Sequence, residues 1–125
     1  MSQSVELVVV VQGLAALLRA IAEEGLRHEE QTELVTEDGR RHEVDLVVTD
    51  EAGTRVGVKV DDKTGVATFV GHDKSGRHAT ALSRRIAQRY AYSKAVEELK
   101  RKGYQIAKEE KQKDGTIRLV AQRWR

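Results

Sequence analysis

The chain has 125 residues, 22 Lys and Arg against 20 Asp and Glu, and neither cysteine nor proline. It is read as a single domain, 1–125, long enough to bury a core without staples. The absence of cysteine excludes disulfides, iron–sulfur ligation, thiolate zinc sites and thiol catalysis.

Hydrophobic residues make up 39% of the chain, too many for a disordered one even with 34% charged. The longest strictly apolar run, 7–11, is far short of the ~20 residues that span a bilayer. The N-terminal segment carries Glu6 and no basic stretch, so neither a signal peptide nor a membrane location is expected, and the expected compartment is the cytoplasm. Charge is unevenly placed: residues 1–70 hold 7 Lys and Arg against 14 Asp and Glu, and residues 71–125 hold 15 against 6. Such a split fits a nucleic-acid face, head-to-tail association of copies, or two halves that answer each other within one core. The last is favoured, because a domain of this size mixes both halves.

Residues 5–11 are rich in β-branched side chains and read as a buried strand, broken by Gly13. Leu14, Leu17, Leu18 and Ile21 then recur at helical spacing, and Gly25 sits where a helix-ending glycine belongs. Residues 26–35 alternate weakly and read as an edge strand before the hairpin turn Glu37-Asp38-Gly39. Val44, Leu46 and Val48 alternate, as do Val56, Val58 and Val60 beyond Gly53. A turn over 61–65 leads to a strand over 66–70, and 71–76 is a loop. A long helix is expected over 79–102, ended by Gly103, then strands over 104–109 and 116–124 about a turn at Asp114-Gly115. Helix, glycine, strand, Asp-Gly turn and strand therefore occur twice, the second glycine following the first by 14 positions in the first copy and by 12 in the second. Each copy follows a strand, so the chain reads as two βαββ units. The expected fold is α+β: a single antiparallel sheet of six or seven strands with two helices on one face, the other face being polar or meeting a partner.

The second helix carries the candidate site. Leu82, Ile86, Val96 and Leu99 form one stripe, shared by His78, Arg85, Arg89 and Ser93, with Tyr90 and Tyr92 on its flanks. Arginines aimed at a sheet are costly unless paired or wet. One reading is a pocket between helix and sheet in which Arg85, Arg89, Tyr90, Tyr92 and Ser93 hold a carboxylate or phosphate. The plainer readings are an internal ion pair to a strand acid such as Asp45 or Glu43, or arginines that snorkel to an edge. Arg89 is expected to be largely covered and bonded to an acid or a backbone oxygen, with Arg85 nearer the opening.

The loop before that helix offers His72, Asp73 and His78 as a weak set of metal ligands, opposed by nearby basic residues and matching no standard spacing. Gly71 and Gly76 lack the Gly-Lys-Ser/Thr ending of a phosphate loop, and no cofactor is expected. No serine sits in a nucleophile elbow, and no catalytic residue is assigned. The carboxylate pairs Glu29-Glu30, Asp61-Asp62 and Glu109-Glu110 are adjacent in sequence and would point to opposite faces of a strand. Enzymatic activity is therefore not favoured. For nucleic acid, Arg84, Arg85, Arg89, Lys94, Lys100, Arg101 and Lys102 load one helix, but aromatic residues are only 4% of the chain and no reader motif appears.

Gln-Arg-Tyr-Ala-Tyr at 88–92, Val96-Glu97-Glu98, Gly103, Asp114-Gly115-Thr116-Ile117-Arg118-Leu119 and Arg123-Trp124 form a series. It resembles the hypothetical chloroplast open reading frame thirty-five family of red-algal plastids, cyanobacteria and other bacteria, a domain of unknown function. The likeness extends to the N-terminal strand, helix and glycine. It implies a small accessory or adaptor domain acting through protein contacts, in association with an AAA+ ATPase, and a plastid stroma location for plastid-encoded members. The alternatives are a small anionic-ligand binder using the helix–sheet cleft and a nucleic-acid module using the basic C-terminal half.

Overall fold

The computed structural model describes the backbone of residues 3–11, 13–36, 38–73, 76–111 and 117–123, and the side chains of those between 11 and 105. In chain order the elements are β1 (Gln3–Val10), α1 (Leu14–Glu23), β2 (Arg27–Glu30), β3 (Glu33–Val35), β4 (Arg41–Glu43), β5 (Leu46–Thr49), β6 (Arg55–Val60), β7 (Val66–Asp73), α2 (Arg77–Arg101), β8 (Tyr104–Lys111) and β9 (Ile117–Arg123). The fold is α+β, and every strand pairing is antiparallel.

The strands do not form one sheet of six or seven. Five make the central sheet, in the order β1-β7-β6-β5-β2, while β3-β4 and β8-β9 are separate two-stranded ribbons. The cause of the first separation is a bend. Glu30 opposes Leu46 and Glu33 opposes Glu43, so β2–β3 and β4–β5 share one continuous register and are the two arms of a single hairpin. The arms break together at Gln31-Thr32 and Val44-Asp45, where the Val44 N–H donates to the Thr32 carbonyl at 3.0 Å. Asp45 holds the bend against β6: its Oδ2 accepts the Val60 N–H at 2.7 Å and its own N–H donates to the Val58 carbonyl at 2.7 Å. The strand expected over 26–35 is therefore two strands in two sheets.

That bend also redirects Val44. Simple alternation places it with Leu46 and Val48, but these two join the helix-side core while Val44 packs with Leu34, Val47 and Val70 on the opposite face. The face away from the helices is thus partly closed by the hairpin's own tip.

Both helices cover one face, as expected. Leu17, Ala20 and Ile21 of α1 and Ala79, Leu82, Ile86 and Tyr90 of α2 share a buried cluster with Leu46, Val48, Val56, Val58, Val60, Ala67 and Phe69. The period-2 spacing within β5, β6 and β7 puts each of these strand residues on the helix side. Two strand glycines set the approach distances. A Cβ at Gly71 would lie 2.7 Å from the Ala79 Cβ, and one at Gly57 would lie 2.6 Å from Val44 Cγ1. Gly71 admits α2 on one face, and Gly57 admits the hairpin tip on the other.

With 25 residues, α2 is about 37 Å long, whereas the eight residues of β7 span about 26 Å. The helix overhangs the sheet. Its fully buried residues end at Tyr90, and Val96 and Leu99, expected on the core stripe, are only half-buried. The overhang packs against β8. The order strand, helix, glycine, hairpin does occur twice, with Gly25 and Gly103 both at positive φ after their helices. The two hairpins are used differently, however: the first joins the sheet through β2 and β5, and the second stands apart. The turn expected at Asp114-Gly115 and Trp124 lie outside the described residues.

Candidate functional site

Arg85 and Arg89 are one helical turn apart on α2, so their guanidinium groups reach the same place. That place is the C-terminal end of α1. Glu24, the residue that caps α1, puts its carboxylate between them: Arg85 Nε donates to Oε1 at 2.7 Å and Arg89 Nε donates to Oε2 at 2.8 Å. The Glu24 side chain is 8% exposed, Arg89 19% and Arg85 33%. Arg89 is the more covered and Arg85 lies nearer the surface. The acidic partner is neither Asp45 nor Glu43. Asp45 is engaged by the Val60 N–H and Lys59, and Glu43 lies beside Lys59 at 3.5 Å.

Arg85 does more than pair. Its Nη2 donates to the Glu24 carbonyl at 2.9 Å, one of the oxygens that a helix end leaves without an internal partner. A cation there also answers the negative end of the helix dipole. Nη1 and Nη2 together clasp the Glu51 carboxylate, both at 3.0 Å. Arg85 therefore ties α1, α2 and the β5–β6 turn together with a forked geometry that lysine cannot supply. Around it, the Arg89 Cζ lies 4.9 Å from the Tyr92 ring centroid, a cation–π distance. Ser93 Oγ donates to Glu23 Oε2 at 3.2 Å, and Tyr90 faces the core.

The electrostatics match this geometry. Burial acts to raise the Glu24 carboxyl, but the hydrogen bonds and charges of Arg85 and Arg89 outweigh it and hold the group below its ordinary value. The Arg85 hydrogen bonds bring Glu51 down to about 2. Two arginines and two glutamates balance, so Glu24 sits where a ligand carboxylate would. Neither glutamate was legible as the partner of these arginines. The available signals were the placement of Glu24 directly before Gly25 and of Glu51 in the turn that ends at Gly53.

The three loop residues come together at a second place. His72, Asp73 and His78 line a pocket of about 300 Å³ with Leu34, Val35, Thr36, Ala52, Gly53, Thr54 and Arg55. Asp73 serves the backbone there: its Oδ1 accepts the Gly76 N–H and its Oδ2 accepts the Ala79 N–H at 2.8 Å, capping the first turn of α2. His72 Nδ1 lies 3.4 Å from Asp38 Oδ2. Among the described residues no group of three or more His, Asp or Glu is placed to hold a metal ion. No described helix is long and apolar enough to cross a membrane.

The family described as Protein of unknown function (DUF1257) matches residues 20–120. A relative named Uncharacterized protein ycf35, from Pyropia yezoensis, is 26% identical over 127 residues, covering 99% of this chain and 98% of its own. A protein of the same name from Cyanophora paradoxa is 50% identical over 40 residues, 32% of this chain and 31% of its own. No solved structure matches. A match that runs from the last turn of α1 into β9 covers all of α2, the arginine–glutamate cluster and four of the five strands of the central sheet, and the chain belongs to the DUF1257 family.

Proposed function

We propose that the chain is an accessory domain that works by binding another protein, with the β8–β9 ribbon as its contact element. The observation that supports this is the pairing of that ribbon. Among the described residues its two strands pair with each other and with no strand of the five-stranded sheet, at the overhanging end of α2. A lone two-stranded ribbon is marginal in water. Its outer edges carry backbone donors and acceptors suited to strand addition by a partner. The family resemblance points to an AAA+ ATPase as that partner, in the cytoplasm or a plastid stroma.

The nucleic-acid reading has less support. Of the seven basic residues that load α2, Arg85, Arg89, Lys94 and Arg101 each face a carboxylate within 4 Å. The test is hydrogen exchange on the full chain, alone and with an AAA+ ATPase of the same host. A complex in which amides of 104–123 become protected supports the reading. No complex, or protection confined to other strands, defeats it.

A further inference from the structure

The arginine cluster and the loop pocket differ in what they leave available. In the cluster, all three guanidinium nitrogens of Arg85 are engaged by Glu24 and Glu51. The pocket is lined by Arg55 and His78, and neither has an ion pair or side-chain hydrogen bond to the described residues. The acids around it are committed. Asp73 holds two N–H groups of the α2 entry, and Asp50 holds the Ala52 and Thr54 N–H groups at 3.0 and 2.8 Å. Asp38 takes the Thr36 hydroxyl and the Arg40 N–H at 3.2 Å and faces His72. Those hydrogen bonds, led by Thr36, hold the Asp38 carboxyl below its ordinary value. Because Asp73 fills the helix entry, the attraction for an anion here comes from side chains.

We propose that this pocket binds a small organic anion, a phosphate ester or a carboxylate, with its charged oxygens on Arg55 and His78. Arg55 supplies a forked donor and His78 a second donor. Leu34, Val35 and Ala52 give the carbon skeleton an apolar wall, and Thr36 and Thr54 add hydroxyls. A volume of about 300 Å³ is at the small end of ligand pockets, so it suits a single ring or short chain. Four separate segments build the walls: the end of β3, the β5–β6 turn with the start of β6, the end of β7 and the start of α2. Binding would therefore lock the bent hairpin tip to the helix face. This site is independent of the ribbon.

The test uses the full chain, with inorganic phosphate and phenyl phosphate as probes read by NMR at His72, His78 and the amides of 52–55. The expected result is saturable shifts at those positions with both probes, tighter for phenyl phosphate, and a tenfold or greater weakening in Arg55→Gln. Arg55 is exposed, so this variant keeps the fold, and unchanged far-UV dichroism checks it. His78→Gln should weaken binding in the same direction. Shifts that do not saturate, that fall on the exposed basic residues of α2, or that persist unchanged in Arg55→Gln overturn the proposal.

Discussion

The two faces of the central sheet are covered in different ways. On one, two helices bring a large cluster of fully buried side chains around Phe69, Leu82 and Ile86. On the other, the tip of one hairpin folds back and, among the described residues, buries Leu34, Val44 and Val47, with Val70 against them. Each face has one glycine that permits the approach, Gly71 for the helix and Gly57 for the tip. The rim of the helix face is closed by four charged residues that satisfy one another. The tip instead borders the open pocket. The thick face holds the fold, and the thin one leaves room for chemistry.

The largest effect should come from opening the helix-side core. Phe69→Ala removes a fully buried ring and should cost about 4 kcal/mol, whereas Leu34→Ala on the thin face should cost about 2 kcal/mol. Chemical denaturation of both checks the order. Equal losses would show that the tip is as integral to stability as the helices.

Next comes the charged rim. Glu24→Ala leaves two partly covered arginines without their shared acid and should cost about 3 kcal/mol. Arg89→Leu keeps the packed stem and leaves Glu24 with Arg85, so it should stay within about 1 kcal/mol. A higher melting temperature for Arg89→Leu marks the residue as a structural ion pair.

The two glycines compare the faces more finely. Gly71→Ala sets a methyl against Ala79 at 2.7 Å and Val56 at 3.2 Å within packed elements and should cost about 2 kcal/mol. Gly57→Ala meets side-chain ends of Val44 and Leu34 on a short ribbon and should cost about 1 kcal/mol. A reversed order would mean that the tip is the more rigid lid.

The smallest effect is the response to acid. A carboxyl whose value falls on folding stabilises fully above its unfolded value, and that contribution is lost as pH drops through the folded one. Glu24 is lowered, and Glu51 is lowered from 4.5 to about 2. Stability at the rim should therefore fall progressively between about pH 4.5 and pH 2. Glu51→Gln should flatten this acid limb in a melting series by lowering stability near neutrality, with the two curves converging as pH falls toward about 2.

Much of this was legible in one dimension. Alternating apolar residues with period 2 assigned β5 and β6, the leucines and Ile21 at helical spacing assigned α1, and β7 runs three residues further than the strand expected over 66–70. Helical phase also put Arg89 on the inner face, and its pairing with an acid follows from the cost of an unanswered buried charge. The identity of that acid did not follow, because Glu24 is 65 residues away and reaches Arg89 only when α1 lies beside α2. The break of two expected strands was equally hidden. No proline or glycine marks Gln31-Thr32 or Val44-Asp45, and the bend is held by hydrogen bonds from Asp45 to a strand 15 residues on.

Composition and local periodicity determined the α+β class, both helices, the absence of sulfur chemistry and the face that meets the core, since each depends on near neighbours in the chain. Tertiary structure alone decided that the sheet has five strands, that Val44 turns away from Leu46, and that His72 and His78 share a pocket with Arg55. Those outcomes depend on which distant surfaces meet, and a one-residue change of register or a single bend reassigns them without altering any local pattern.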